Sequence, residues 1–382
     1  MRRIFNLSET AYSINRNSSI ESLRIIAILI IITHHFGYHG VLKENILTVA
    51  NLNWQIVFTQ LVSWGGNLGN MIFMMITGYY MINANVKKEK ILLLLFTMLL
   101  YSWVIEIVSF YIIGMSCSID VFVKNTFPIW FGLNWFVSCY IIFSTFIPFV
   151  NKFLLSLDNR QYLYLLLLLF IFQSLLPTLG GVTFMNKSQF IFFGFGYAIG
   201  GYLRLYFQEY LREEYKQKYI FLFTTFSLMI VLSIFLLDFL GIYLHIDKFV
   251  FMASRVGGGM IFTVPISVSI FCLFLSIKPF NNYKINMVAQ TVLGVYLIHD
   301  NSLMRQILWN QYFPNLNFID SIFYPIFYIV KVLLVFLVCV CVEYLRKIYI
   351  EPRQVYMVDI ILKKFIKIYY NLVSRIQLSS LK

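Results

Sequence analysis

Long apolar runs recur along almost the whole chain, and they restrict it to very few folds. The runs cover residues 20–38, 56–82, 89–113, 134–151, 161–177, 188–206, 219–239, 258–276, 286–308 and 321–345. Because the hydrocarbon core of a bilayer is about 30 Å thick, a helix needs about 20 mostly apolar residues to cross it. The sequence therefore predicts an all-α, polytopic integral membrane protein with about ten transmembrane helices, each formed by one run.

The composition excludes a soluble enzyme, since 60% of the residues are hydrophobic and only 12% are charged, against about 25% charged in a soluble domain. The net charge of +13 is explained by topology, because basic residues are retained on the cytoplasmic side of a membrane. If the N-terminus is cytoplasmic, the inner segments hold 22 Lys and Arg residues and the outer segments 6. Both termini are therefore predicted to be cytoplasmic, and no nucleic-acid partner is expected.

The chain divides into three predicted parts. Residues 1–19 form a cytoplasmic N-terminal segment, residues 20–345 the membrane domain, and residues 346–382 a basic amphipathic tail. In the tail, lysines such as Lys363 and Lys367 alternate with apolar residues. This pattern is typical of a helix that lies on the anionic inner leaflet, and a frayed tail is the alternative.

Ionisable residues within the predicted spans are candidate functional groups, because charge inside a bilayer is costly. They are Arg24, His34, His35, Glu106, Asp238, His299, Asp300, Lys331 and Glu343. The cysteines are interpreted as small packing residues, since Cys339 and Cys341 lack the spacing of a zinc site. No metal is expected.

The first predicted helix is the most informative. Ser18 and Glu21 match an S-x-x-E capping box, which predicts that the helix begins there. Arg24 and His35 are eleven positions apart, so at about 100° per residue they share one stripe, roughly 16 Å apart along the axis. His34 points about 100° away. Two interpretations remain open: the pair holds an elongated anion, or Arg24 reaches the headgroups while the histidines bond neighbouring helices.

Depth in the membrane relates His35 to residues of two other helices. Glu106, His299 and Asp300 lie at a similar distance from the start of their own predicted spans, which run in the same direction. A histidine beside a carboxylate is the arrangement that general-base catalysis requires, because the carboxylate fixes the tautomer. The alternative for Glu106 and Asp300 is a polar contact that only stabilises helix packing.

Three motifs in this order resemble the integral-membrane acyltransferase family 3. Arg24 and His35 match an Arg, ten intervening residues and a His in the first helix. The second motif is a glycine-led segment, Gly69-Asn70-Met71-Ile72-Phe73, followed by Thr77-Gly78-Tyr79. The third is Gly294-Val295-Tyr296-Leu297-Ile298-His299. The chain departs from the pattern at Asn70, where Val is usual, and at Met74, where Phe is common.

The resemblance implies a ten-helix O-acyltransferase in the plasma membrane that takes acetyl-CoA, or another short acyl-CoA, as donor. The acceptor it implies is a hydroxyl of a cell-surface or secreted polysaccharide, or of a lipid-linked glycan. His35 is the expected general base, with Glu106 or Asp300 orienting it. The phosphates of CoA are expected at Arg24, with Arg204, Lys87 and Lys88 as further candidates. Expected supporting residues are His34, His299, Gly69 and Gly78.

A transporter that exports a lipid-linked or growing glycan is the competing hypothesis. It would use the same helices and an aromatic-lined path, since aromatic rings stack on sugars. The sequence shows no duplicated halves of the kind that many transporters contain. The acyltransferase is therefore favoured, and turnover of acyl-CoA by purified protein distinguishes the two.

Overall fold

The computed structural model describes residues 16–42, 48–111, 114, 118–179, 188–250, 252, 260–311 and 314–379. This part of the chain is all-helical and contains no strand. Most of the predicted N-terminal segment lies outside the described residues. So do Lys43, Lys187 and Arg255, which the orientation count placed on the outer side.

The described chain contains fifteen α-helices of five or more residues. They are α1 (Ser18–Gly37), α2 (Trp54–Ser63), α3 (Gly66–Met81), α4 (Lys88–Tyr111), α5 (Ile119–Thr126), α6 (Trp135–Leu155), α7 (Asn159–Phe170), α8 (Gln189–Tyr206), α9 (Lys216–Leu244), α10 (Met260–Ser276), α11 (Tyr283–Ala289), α12 (Val292–His299), α13 (Ser302–Gln306), α14 (Tyr324–Tyr349) and α15 (Glu351–Ser379). A π-helical turn, Tyr38–Leu42, continues α1 beyond Gly37.

Six helical stretches in the described residues are long and apolar enough to cross a membrane. They are Ser18–Leu42, Lys88–Tyr111, Trp135–Leu155, Asn159–Thr178, Glu213–Leu244 and Tyr324–Tyr349. These coincide with the first, third, fourth, fifth, seventh and tenth apolar runs of the sequence. The count of about ten spans and the cytoplasmic termini stay predictions.

The remaining four runs are also helical over most of their described residues, but the second and the ninth are each divided into shorter helices; an interruption of the second at Gly65–Asn70 is visible in the sequence. The second run forms α2 and α3, which are separated at Trp64 and Gly65. The ninth run forms α11, α12 and α13, with breaks at Gln290–Thr291 and at Asp300–Asn301. Non-helical backbone at membrane depth is tolerated where it is buried in protein or lines a cavity. All three breaks adjoin the candidate site.

The start of α1 differs by one residue from the predicted capping box. Asn17 is the N-cap, and its side-chain oxygen accepts a hydrogen bond from the backbone N–H of Ser19 at 3.1 Å. Ser18 is already helical, and its hydroxyl donates to the side chain of Asn286 at 2.8 Å. Asn and Ser are about equally favourable at the N-cap position. Asn17 occupies this position because the hydroxyl of Ser18 is engaged by Asn286 of α11.

The centre of the fold is α3, which packs against α1, α8 and α10. Its predicted supporting residues, Gly69 and Gly78, permit this close packing. A Cβ at Gly69 would lie 2.6 Å from Ile31 Cγ1 and 2.7 Å from the carbonyl oxygen of Ala27, and a Cβ at Gly78 would collide with the backbone of Tyr197. The two glycines therefore set the separation of α3 from α1 on one side and from α8 on the other.

A buried ionic cluster joins α4, α14 and α15. Glu343 accepts two hydrogen bonds from Arg346, at 2.7 Å and 2.8 Å, and one from the hydroxyl of Tyr101. Arg346 also bonds Glu351 and Gln354 in the first turns of α15. Because a buried guanidinium needs such partners, the cluster fixes the start of α15 against the membrane domain. The predicted tail is helical over most of residues 346–379, the part that the structure describes, while its place on the inner leaflet stays a prediction.

Candidate functional site

Histidine 35, near the end of α1, lies beside two residues at the end of α12. His35 Nδ1 is 3.2 Å from Asp300 Oδ1 and 3.0 Å from His299 Nε2. Helix α12 ends at His299, and Asp300 follows it as the C-cap residue. All three residues are buried. The break in the ninth run therefore places a carboxylate and a second imidazole directly on His35.

The hydrogen bonds determine which nitrogen of His35 carries a proton. His299 Nδ1 is 2.6 Å from the carbonyl oxygen of Val295, and a carbonyl only accepts, so this nitrogen is protonated and neutral His299 has a lone pair at Nε2. His35 Nδ1 thus faces two acceptors, His299 Nε2 and Asp300 Oδ1. It must donate to them, which leaves the lone pair of neutral His35 on Nε2. This is the tautomer of a general base.

Arginine 305 completes the group from α13. Its Nε donates to Asp300 Oδ1 at 2.7 Å, and the carboxylate is fully buried while the guanidinium is partly exposed. Asp300 Oδ1 therefore accepts from both His35 and Arg305. In the charge count along the sequence Arg305 belongs to an outer segment, and nothing in that count predicts this role. The available signal was its position five residues after Asp300, across the end of a helix.

Histidine 34 makes a different set of contacts, as its angular offset from His35 predicts. Its Nδ1 lies 2.6 Å from the carbonyl oxygen of Ser63, the last residue of α2. Its ring stacks on Tyr38 with centroids 5.5 Å apart, and Gly66 packs against its face. Carbonyl groups at a helix end lack partners within the helix, so His34 satisfies one of them and secures the break between α2 and α3.

A cavity of about 190 Å³ opens beside these histidines, and we call it the His35 cavity. Its lining contains three of the protein's five histidines, two asparagines, three aromatic residues and one arginine. The lining residues are Ile31, His34, His35, Tyr38, His39, Gly66, Asn67, Asn70, Trp135, Tyr296 and Arg305. Amide groups and aromatic faces beside a histidine base suit a polar ligand that carries hydroxyl groups.

A larger cavity of about 460 Å³ lies toward the N-terminal end of α1, and we call it the Arg24 cavity. Its charged lining residues are Arg16, Arg24, Lys90, Lys347 and Glu351. Its apolar walls come from residues of α1, α3, α4, α6 and α12. Arg24 Nη1 is 3.4 Å from Glu21 Oε2. The cavity thus combines four cationic side chains and one acidic side chain with apolar walls. This combination suits an elongated ligand with an anionic end and an apolar end.

The two cavities adjoin, since Ile31 and Tyr296 belong to the lining of both. On α1 the Arg24 cavity is lined by Arg24, Ile28 and Ile31, and the His35 cavity begins at Ile31 and continues to His35. The predicted stripe on α1 thus connects a cationic cavity to a cavity with a histidine base. The interpretation of interhelical bonds also holds, because both His34 and His35 bond residues of other helices.

Four predicted residues lie elsewhere. Glu106 accepts a hydrogen bond from Asn125 of α5 at 2.9 Å and lines neither cavity. Arg204 lies over the ring of Tyr79, 5.2 Å from its centroid. Lys87 and Lys88 are exposed at the start of α4 and line neither cavity. Their proposed roles stay predictions, whereas Lys90, two positions further along α4, does face the Arg24 cavity.

One donor set in the described residues has the geometry of a metal site. His35, His39 and Asp300 place one ligand atom each within 4.8 Å of one another, and nitrogen and oxygen ligands of this kind bind zinc. The charges oppose it, because the guanidinium of Arg305 already lies on Asp300 Oδ1 and repels a divalent cation.

The other buried ionisable residues have partners outside the site. Lys331 donates to Asn315 Oδ1 at 2.6 Å and lies near the rings of Phe36, Trp309 and Phe327. Asp238 accepts from Gln60 at 2.7 Å and joins α9 to α2. Each buried charged group therefore has a hydrogen-bond partner that offsets part of the cost of its burial. Such contacts stabilise packing within the bundle.

The described chain is a helical membrane protein in which a histidine–aspartate pair lies beside one of two adjoining cavities, and the comparison with known families agrees with this class. Residues 17–344 match the acyltransferase domain of the membrane acyltransferase family 3. The chain belongs to this family. No curated protein and no solved structure gives a significant match.

Proposed function

We propose that this protein transfers an acetyl or other short acyl group from acyl-CoA to a hydroxyl of a cell-surface or secreted polysaccharide, at the plasma membrane. The observation that carries the proposal is the adjacency of the two cavities. One is lined by cations, the other contains His35 with Asp300, and Ile31 and Tyr296 form the wall between them. A donor and an acceptor that enter from opposite sides would meet at this wall.

The Arg24 cavity is the proposed donor site. Under the predicted orientation it opens toward the cytoplasm, where acyl-CoA is present. The phosphates would pair with Arg24, Lys90 and Lys347, since guanidinium and ammonium groups bind phosphate well. The pantetheine arm and the acyl group would lie along the apolar wall formed by residues such as Ile28 and Val292. This direction brings the thioester to Ile31, one helical turn before His35.

The His35 cavity is the proposed acceptor site. A sugar ring can stack on Trp135 or Tyr38, and its hydroxyl groups can bond the amides of Asn67 and Asn70. A cavity of about 190 Å³ is small, so it suits one sugar unit of a glycan better than several. The acceptor hydroxyl would then lie against the lone pair on His35 Nε2.

In the proposed reaction, His35 Nε2 takes the proton of the acceptor hydroxyl as its oxygen attacks the thioester carbon. The carbon–sulfur bond then breaks, and the proton passes from the imidazolium to the departing thiolate. General-base catalysis of this kind contributes about 10² to 10⁴ in rate. Asp300 stabilises the imidazolium and holds the tautomer, and Arg305 keeps Asp300 ionised and in place. The products are the acyl ester and free CoA.

Turnover of labelled acetyl-CoA by the purified protein, with polysaccharide fragments as acceptor, tests the proposal. His35→Asn removes the base at similar volume, and His245→Asn, at an exposed residue of positive φ that Asn tolerates, is the matched control. Arg24→Gln and the exposed Arg212→Gln form a second pair. We expect His35→Asn and Arg24→Gln to lose acetyl transfer and the two control variants to keep it. Normal transfer by His35→Asn would overturn the assignment of the base, and glycan export without turnover of acetyl-CoA would favour the transporter.

A further inference from the structure

We propose that the hydroxyl of Tyr296 donates a hydrogen bond to the carbonyl oxygen of the acyl group and stabilises the negative charge that develops there. The inference rests on the proposed acyl transfer and assigns a group that any such transfer needs. A tetrahedral intermediate carries its charge on this oxygen, and a correctly placed donor contributes about 10² to 10³ in rate. Tyr296 would be a catalytic residue, distinct from the base.

The position of Tyr296 is the first argument. It lies on α12 and lines both cavities, as does Ile31 of α1. Of these two shared residues, Tyr296 carries the polar group. An acyl group that passes from a donor in the Arg24 cavity to an acceptor in the His35 cavity must cross between them. Its carbonyl therefore comes next to Tyr296 at the moment when the bond to the acceptor forms.

The hydrogen bonding of Tyr296 is the second argument. Its side chain is buried, with 4% of the residue exposed, and the hydroxyl makes no hydrogen bond of full geometry with a described residue, although the Asp300 carboxylate and the backbone of Phe136 lie close enough to interact with it. A hydroxyl that is buried without a partner costs about 1 to 3 kcal/mol. Such a group in a cavity wall requires an explanation, and a ligand that accepts its hydrogen bond supplies one.

The ring of Tyr296 is held on two sides. It lies 5.5 Å from the ring of Phe136 and 6.0 Å, edge to face, from the ring of His299. A donor whose direction is fixed before the reaction does not have to reorganise as the charge develops, and this is the condition under which such donors act strongly. Phe136 lines the Arg24 cavity as well, so the same packing shapes the path of the acyl group.

The nearest alternative is that Tyr296 acts through Asp300, which lies one turn further along the chain. Asp300 Oδ2 is also buried without a hydrogen bond of full geometry in the described residues, and the Tyr296 hydroxyl already lies close enough to this carboxylate to interact with it, so a small rotation would join the two groups. Tyr296 would then be a positioning residue for the pair of Asp300 and His35. Arg305 is a poorer candidate for the oxyanion donor, because it lines the His35 cavity alone, whereas Tyr296 lines both cavities.

In the proposed step Tyr296 keeps its own proton. The acceptor oxygen bonds to the carbonyl carbon, the proton of the acceptor goes to His35 Nε2, and the carbonyl oxygen becomes an oxyanion that accepts the Tyr296 hydrogen bond. When the carbon–sulfur bond breaks, the carbonyl re-forms and the hydrogen bond weakens. The thiolate receives the proton from His35, so atoms and charges balance.

Tyr296→Phe tests the inference, since it removes the hydroxyl and keeps the ring that separates the cavities. We expect kcat for acetyl transfer to fall about 10²- to 10³-fold while KM for acetyl-CoA stays unchanged. Tyr324→Phe is the matched control, because this buried tyrosine bonds Thr59 and lines neither cavity. Detergent-solubilised yield and thermal midpoint show that each variant is folded. Full activity of Tyr296→Phe would overturn the inference.

A double variant with Asp300→Asn separates the two roles of Tyr296. If the hydroxyl acts on the acyl carbonyl, its removal lowers the rate of the Asp300→Asn enzyme by a similar factor again. If it acts through Asp300, the double variant is no slower than Asp300→Asn alone, and the inference is wrong. Failure of the proposed function is distinguishable, because the wild-type protein would then show no turnover of acetyl-CoA.

Discussion

Asp300 Oδ1 lies between His35 Nδ1, at 3.2 Å, and Arg305 Nε, at 2.7 Å. One carboxylate oxygen thus connects a histidine of the first helix to an arginine beyond the end of α12. The arrangement exists because α12 stops at His299, so Asp300 is no longer part of the helix. A continuous helix through residues 286–308 would carry Asp300 and Arg305 on different faces, since five positions correspond to about 500° of rotation.

Asp300→Asn is predicted to lower kcat about 100-fold or more, because an amide stabilises the protonated imidazole of His35 poorly and permits the wrong tautomer. The rate of acetyl transfer at saturating acetyl-CoA measures the effect. Asp320→Asn, at an exposed residue, is the control and should be normal. An Asp300→Asn enzyme with an unchanged rate would show that His35 does not need this carboxylate.

Lys90→Gln is predicted to raise KM for acyl-CoA about 2- to 5-fold with little change in kcat, because an exposed charge pair contributes up to about 1 kcal/mol. The effect should shrink at high ionic strength as the phosphates are screened. Lys88→Gln is a matched control two positions away, since Lys88 lines neither cavity. Equal effects of the two substitutions would indicate a general surface attraction and contradict a defined donor site.

Asn70→Leu is predicted to weaken binding of the acceptor. Asn70 lines the His35 cavity, and its Oδ1 is buried without a hydrogen-bond partner in the described chain. Loss of one hydrogen bond of about 0.5 to 1.5 kcal/mol would raise KM for the polysaccharide fragment roughly 2- to 12-fold. KM for acetyl-CoA should stay constant. In the control Asn51→Leu, at an exposed residue, both KM values should stay constant. A change in KM for acetyl-CoA alone would argue against an acceptor in this cavity.

Gly78→Ala is predicted to destabilise the membrane domain by about 1 to 3 kcal/mol, because the new methyl group collides with the backbone of Tyr197 and forces α3 away from α8. The midpoint of thermal inactivation in detergent measures the change. Gly194→Ala is the control on α8, since a Cβ there meets only Phe143 at an ordinary distance of 3.8 Å. Equal midpoints for the two variants would contradict the packing role of Gly78.

The sequence predicted the helical class, six of the apolar spans and the stripe on α1, because these follow from local hydropathy and from helix geometry. The relation of Arg24 to His35 needed nothing beyond their spacing. Distant contacts could not be predicted in the same way. Depth along parallel helices left Glu106 and Asp300 equivalent, and only the packing of α12 on α1 brings Asp300 to His35.

The residues that sequence analysis did not assign share a physical reason. Tyr296 lies inside the Gly294–His299 motif, in which His299 is the residue that the sequence points to, and the charge count along the sequence places Arg305 in an outer segment. Lys90 and Lys347 reach the Arg24 cavity, whereas Lys87 and Lys88 do not. Charge counts along a chain contain no information about which side of a helix faces a cavity, so they do not distinguish Lys90 from Lys87 and Lys88.

The ionic cluster at the start of α15 has a consequence for how the protein is divided. Lys347 and Glu351 line the Arg24 cavity, and Lys347 Nζ lies 3.0 Å from Glu351. The family match ends at residue 344. A shortened protein cut at that boundary would keep His35 and Asp300 but would lack Lys347 and Glu351 in the lining of the Arg24 cavity. The smallest intact unit therefore extends into α15.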